Sequence, residues 1–154
     1  MKIERSLPRH SSTLTKLAKA SKMYWNYPDH YLKIWDADLE VTEEYLINSE
    51  VFHLIDENDE ICGFYSYFFD EENVRLEHLF ILPKFIGRKL GDLLIKDFLQ
   101  KIEKSGYDSI ILDADPNAVG FYERYGFMVT EWNDSAIENR KLPVMVKKID
   151  SYEN

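Results

Sequence analysis

The apolar residues Ile3 and Leu7 stand among polar ones from Lys2 to Leu7, a stretch read as a first strand. Leu14, Leu17, Ala18 and Met23 then recur at helical intervals behind Ser11-Ser12-Thr13, whose hydroxyls suit an N-cap. Asn26-Tyr27-Pro28 breaks that helix. A second is predicted from Asp29, with Tyr31, Leu32, Trp35 and Leu39 along one face. Residues 51–55 and 61–69 read as a hairpin around Asp56-Glu57-Asn58-Asp59, and residues 74–82 form the next strand after Asp70–Asn73.

The clearest helical pattern covers residues 87–105. Leu90, Leu93, Leu94, Asp97, Phe98 and Ile102 share one face, Lys96, Lys101 and Lys104 fall mostly on the other, and Gly106 suits a C-cap. Residues 109–113 are a continuous apolar run between turn residues, the pattern of a strand buried on both faces. Residues 116–125 read as a short helix with Pro116 in its first turn and Gly126 at its end. Strands at 127–132 and 143–149 complete the chain and offer an edge for a possible homodimer. Meander strands followed by helix, strand, helix and strand predict an α/β fold with a mixed sheet.

The length of 154 residues suits one domain spanning 1–154. No apolar run approaches the roughly 20 residues of a membrane span, and Met1-Lys2-Ile3-Glu4-Arg5 has no apolar signal core. A cytoplasmic protein that avoids membranes is therefore expected. Cys62 is the single cysteine, which excludes an intramolecular disulfide and a thiolate metal cluster; beside Gly63 it reads as a small buried residue. His10, His30, His53 and His78 lack metal-ligand spacing, and the acidic turns lack that of a calcium loop, so no metal is expected. The net charge of −9 argues against a nucleic-acid surface. Such acidity either steers a cationic acceptor or simply aids solubility.

Two segments carry the candidate chemistry. Leu79-Phe80-Ile81-Leu82-Pro83-Lys84-Phe85-Ile86-Gly87-Arg88-Lys89-Leu90-Gly91 joins an apolar strand to a helix start through a glycine-bearing turn. Backbone N–H groups there lack intrahelical partners, the helix dipole adds positive potential, and Lys84, Arg88 and Lys89 add charge. The second segment is Asp115-Pro116-Asn117-Ala118-Val119-Gly120-Phe121-Tyr122-Glu123-Arg124-Tyr125-Gly126-Phe127.

Together they resemble the GNAT superfamily of acyl-CoA-dependent N-acyltransferases over roughly Glu60 to Phe127. Asn117-Ala118-Val119-Gly120-Phe121-Tyr122 to Gly126-Phe127 matches the later family segment closely. In the phosphate loop Ile86 stands where Gln or Arg is usual and Lys89 where a glycine is usual, while Gly87 and Gly91 fit. Lys89 carries a Cβ, so the turn must hold it at negative φ or accept strain.

The resemblance implies a GNAT-like, mostly antiparallel sheet of about six or seven strands with about four helices, and a splayed strand pair that holds the cofactor. It implies acetyl-CoA as co-substrate and no metal. Backbone groups of Leu79, Phe80 and Ile81 would bond the pantetheine arm, and an amide among them would polarise the thioester carbonyl. The amides of Gly87, Arg88, Lys89, Leu90 and Gly91 would hold the pyrophosphate, with Ile86 also lining the cofactor. Asn117, Phe121 and Tyr122 would line the cofactor, Asn117 also turning the chain before the short helix.

By the same resemblance Tyr122 is the general acid, since a phenol near pKa 10 keeps a proton to give a leaving thiolate. Tyr125 is assigned to packing. Glu77 is the candidate general base, acting through a water. His78 lies on the opposite strand face and reads as a half-buried polar group, with Asp113 and Asp115 as runners-up. Tyr24, Trp25, Tyr27, Asp29 and Tyr31 crowd where a cationic acceptor could sit, or lid the core.

The expected activity is direct acetyl transfer to a primary amine of a small molecule or peptide, with no covalent enzyme intermediate. Two alternatives stand beside it: a non-catalytic acyl-CoA-binding or sensing module, and an acetyltransferase acting on protein N-termini or lysines.

Overall fold

The computed structural model describes residues 1–149. Of the domain predicted over 1–154, the last five positions lie outside the described residues. The chain divides into two compact units: Met1–Tyr67 with His78–Phe98, and Phe68–Glu77 with the described part of Leu99–Asn154. The hydrogen-bonded strand order is β1 (Lys2–Arg5), β2 (Glu50–Ile55), β3 (Ile61–Asp70), β4 (Asn73–Ile81), β5 (Ser109–Asp113), β7 (Lys141–Lys148) and β6 (Met128–Asp134).

In the first unit β1, β2 and β3 pair antiparallel, from Lys2↔Ile55 to Arg5↔Phe52 and from Glu50↔Tyr67 to Leu54↔Gly63. The predicted first strand ends early, at Arg5, and Leu7 stands exposed. Helix α1 (Ser11–Met23) buries Leu14, Leu17 and Ala18 as the spacing predicts, but its stripe ends at Ser21 and Met23 is exposed. No side chain caps its start: Ser11 Oγ instead donates to the Val41 carbonyl at 2.6 Å. Asn26 takes a positive φ of 57° and ends the run, after which α2 (Asp29–Trp35) buries Trp35. Leu39 is buried beyond that helix.

Helix α3 (Glu43–Asn48) has no counterpart in the predicted elements. Its signal is present: Thr42 Oγ1 accepts from the Tyr45 amide at 3.0 Å, and Glu43 and Glu44 occupy the dipole-favoured first turn. The helix is simply too short to show a hydrophobic period.

Helix α4 (Leu90–Ile102) starts three residues later than predicted. It buries Leu90, Leu94, Ile95, Phe98 and Ile102, whereas Leu93, predicted on the inner face, is 46% exposed. Truncating a fully buried side chain such as Leu94 or Phe98 to alanine would cost about 2–5 kcal/mol.

In the second unit β5 runs parallel to β4, and β7 lies antiparallel between β5 and β6. The predicted two-sided burial of residues 109–113 holds only in part. Ile110 and Leu112 are buried, but Ile111 is intermediate and Asp113 exposed. The predicted helix 116–125 divides into a 3-10 turn, Pro116–Ala118, and α5 (Val119–Glu123). Among the described residues no helix is long and apolar enough to cross a membrane.

Candidate active site

In the first unit the run from β4 into α4 is anchored at its two buried ends. Pro83–Phe85 form a 3-10 turn in which Phe85 is buried, with Phe85 N–H bonded to Leu82 O and Ile86 N–H to Pro83 O. Leu90 is buried where the helix begins. Between these anchors Ile86, Gly87, Arg88 and Lys89 are all exposed.

The backbone explains the late helix start. Gly87 has φ 93° and Lys89 has φ 60°. Lys89 therefore takes the strained option, since a left-handed residue with a Cβ costs about 1–2 kcal/mol. It cannot belong to α4, although the Leu93 amide reaches back to its carbonyl at 3.4 Å.

The predicted loop cations are held differently. Lys84 Nζ lies 2.7 Å from Glu60 Oε2 and 5.4 Å from the Phe85 ring centre. Arg88 lies 5.2 Å from the same ring. A Cβ at Gly87 would meet nothing within 4 Å, so the turn is open on that side. The exposed turn carrying Arg88 and Lys89 fits an anion such as a pyrophosphate, against which the carboxylate of Asp92 in the first turn of α4 counts.

Leu79, Phe80 and Ile81 are half-buried at the end of β4. The Phe80 ring lies 5.9 Å from Phe64 and 5.5 Å from His78. His78 also faces Tyr45 at 5.8 Å, and Tyr45 Oη is 2.8 Å from Ser66 Oγ. Burial first, and Lys22 second, lower the His78 pKa to about 4. His78 is thus neutral at pH 7 and a weak base, as a half-buried polar group should be.

The aromatic connection between α1 and α2 is partly a lid and partly exposed. Tyr27, Tyr31 and Trp35 pack together, with Tyr27 and Trp35 at 5.0 Å and Tyr31 and Trp35 at 5.6 Å. Lys22 Nζ sits 4.5 Å from the Trp35 ring, so the chain supplies its own cation there. Tyr24 and Trp25 remain half exposed, and Asp29 opens α2 at the surface.

In the second unit the β4–β5 ladder runs from Asn73↔Ser109 to Arg75↔Ile111, although β4 runs on to Ile81 and β5 to Asp113. Glu77 is exposed on β4 just past that point. Asp113 is engaged by Arg75, Nη2 to Oδ2 at 2.7 Å. Asp115 accepts from the Asn117 amide at 2.9 Å and faces Arg140 at 3.7 Å. Both runner-up carboxylates therefore have structural work. Asp115, in particular, caps the turn that was predicted to depend on Asn117, whose side chain is exposed.

Tyr122 is buried in α5, 5.1 Å from Phe121 and 5.5 Å from Phe127, ring to ring. Burial, and secondarily Asp115, raise its pKa above the ordinary tyrosine value. It keeps its proton throughout the neutral range, as an acid for a thiolate must. Phe121 and Tyr125 are half-buried neighbours at 5.5 Å. Among the described residues no group of three or more His, Cys, Asp and Glu is placed to hold a metal.

Sequence reasoning missed the groups whose partners are distant in the chain. One is Tyr65 with Asp97; another is Ser6 Oγ at 2.6 Å from His53 Nδ1, with Glu4 at 3.3 Å from His53 Nε2.

A family model described as an acetyltransferase (GNAT) domain matches residues 27–144. An uncharacterised N-acetyltransferase of Schizosaccharomyces pombe is 41% identical over 59 residues, a match spanning 36% of this chain and 36% of that protein. The PaiA N-acetyltransferase of Thermoplasma acidophilum, solved with coenzyme A, has a similar structure. Its TM-score is 0.78 at 20% identity, over 96% of this chain and 98% of that one. An aminoglycoside 6'-N-acetyltransferase complexed with coenzyme A gives 0.73 at 16% identity over 100% of both chains. At such identities these structures speak for the fold.

Proposed function

The chain belongs to the GNAT acetyltransferase family, and from that premise we propose that residues 1–154 are one acyl-CoA N-acyltransferase domain moving acetyl from acetyl-CoA to a primary amine. The observation that carries this reading is the open turn between Phe85 and Leu90, with Gly87 and Lys89 at positive φ and Arg88 and Lys89 exposed. Its amides suit a pyrophosphate.

Acetyl-CoA supplies a thioester whose carbonyl carbon takes the amine. The chain's own residues then have three tasks. Backbone groups of Leu79, Phe80 and Ile81 hold the arm and polarise the carbonyl oxygen. Glu77 takes one proton from the ammonium through a water, which frees the nitrogen lone pair to attack the carbonyl carbon. Tyr122 gives its proton to the sulfur as the C–S bond breaks, and the second proton that the nitrogen sheds after attack restores the phenol, so a neutral thiol leaves and no bond to the enzyme is formed.

Isothermal titration with acetyl-CoA, followed by assay of thiol release across polyamines, amino-sugars and N-terminal or lysine peptides, tests this. Release with a free amine is expected. Binding without release on the whole panel would favour the sensing module, a reading motivated by Ile86 and Lys89 in the loop. Release with peptides alone would favour the protein-modifying reading.

A further inference from the structure

A Cβ at Gly63 would stand 2.7 Å from the Phe80 carbonyl oxygen, 2.8 Å from Ile81 Cδ1 and 3.2 Å from Leu94 Cδ1. Real Cβ atoms essentially never approach another heavy atom within 3.0 Å. The Ile81 and Leu94 contacts are side-chain ends that can rotate away. The Phe80 oxygen is backbone and cannot move without turning the peptide.

Gly63 lies on β3 on the same face as Tyr65, which bonds Asp97 of α4. The carbonyl of Phe80 is thus directed at β3 and accommodated only because position 63 has no side chain. Two residues on, the Leu82 amide donates to the Cys62 carbonyl at 2.8 Å, so Leu82 also turns its N–H toward β3. A trans peptide sets its C=O and N–H in opposite directions. With the Phe80 C=O toward β3, the Ile81 N–H points away from it.

We propose that Gly63 is a positioning residue for acyl-CoA: by admitting the Phe80 carbonyl it orients the Ile81 N–H as the donor to the thioester carbonyl. This rests on the acetyl-CoA reading above. It gives β3, which contributes no side chain to the chemistry, a part in catalysis.

Two experiments test it, and a wild-type titration separates the two readings. If wild-type protein binds no acetyl-CoA, the functional reading fails, and this one with it. If it binds, the Ile81 amide proton and nitrogen should shift on addition of acetyl-CoA, and shift more than those of Leu82. An unmoved Ile81 resonance overturns the proposal without any variant having to fold.

Gly63→Ala should lower kcat about 100-fold, the effect of misplacing a reacting group by about 1 Å, and raise the KM for acetyl-CoA. Cys62→Ala, on the opposite face of β3, should lower thermal stability while leaving both constants near wild type. In the double variant Gly63→Ala/Ile81→Val, which deletes Cδ1, stability should recover in part and turnover should not. Turnover that recovers with stability would show that side-chain crowding, and not the Phe80 carbonyl, is what Gly63 serves.

Discussion

Tyr65 Oη donates to Asp97 Oδ2 at 2.6 Å, pinning the middle of β3 to the inner face of α4. The phenol is fully buried, and its pKa is raised, chiefly by burial and then by this bond. It therefore keeps its proton, and donates, throughout the neutral range. Removing the hydroxyl leaves the carboxylate with one donor fewer, and bonds to charged groups are worth about 1.5–3 kcal/mol. Tyr65→Phe should lose about that much in urea unfolding. A loss below about 0.5 kcal/mol would mean that solvent replaces the bond.

Tyr122→Phe keeps the ring packed against Phe121 and Phe127 and removes only the acidic proton. Turnover should fall by about 100-fold or more, the range of a positioned acid, with acetyl-CoA affinity nearly unchanged. Equal turnover would remove Tyr122 from the mechanism. Because its pKa is raised, wild-type activity should show no loss from Tyr122 ionisation as pH climbs from 7 to 9.

Glu77→Gln is isosteric and takes away the proposed base. The expected outcome is a fall in kcat of about 100-fold at pH 7, partly regained at higher pH, where more of the amine is already deprotonated. A pH–rate profile that matches wild type would reassign the base.

Lys89 offers a separate test of the loop. Lys89→Gly relieves the left-handed strain and should raise stability by about 0.5–1 kcal/mol, once the extra chain entropy of glycine is allowed for. It also removes a loop cation. Acetyl-CoA should then bind more weakly at low salt, with the difference narrowing as salt rises. If affinity is indifferent to Lys89, the pyrophosphate lies elsewhere.

His78 predicts a pH dependence of stability. Its folded pKa of about 4 lies below the unfolded value of 6.5. Between those values the unfolded chain binds the proton and the folded chain does not, so stability declines as pH falls from about 6.5 toward 4. His53 acts in the same direction, its pKa lowered mainly by burial. One such histidine withdraws at most about 1.4 kcal/mol per pH unit. Urea unfolding at pH 7, 6 and 5 should show a shallower decline in His78→Phe than in wild type. Identical declines would exclude His78 as the source.

Most elements were legible because their signals are local. Helix α1, the hairpin of β2 and β3, β4, β5 and the two late strands fall within a few residues of their predicted places. Misreadings arose where a local signal was absent or ambiguous. Asp97 shares a helical face with Phe98, but nothing in its neighbourhood reveals Tyr65, 32 residues earlier. Leu93 and Ile95 are both apolar and flank Leu94, and only the packed helix decides that Ile95 is buried and Leu93 is not.

The candidate site divides along the same line. The order of residues alone determined that a glycine-bearing turn leads into a helix after an apolar strand, and that Asn117 to Phe127 follows a second strand. Spacing and backbone demands are properties of neighbours in the chain. Tertiary structure decided that Lys89 takes the left-handed conformation, that Asp113 and Asp115 are engaged by Arg75 and Arg140, and that Gly63 stands under the Phe80 carbonyl. It also set the direction in which His78 and Tyr122 titrate. Burial, contact and charge are sums over groups brought together from distant positions, and no window of sequence contains them.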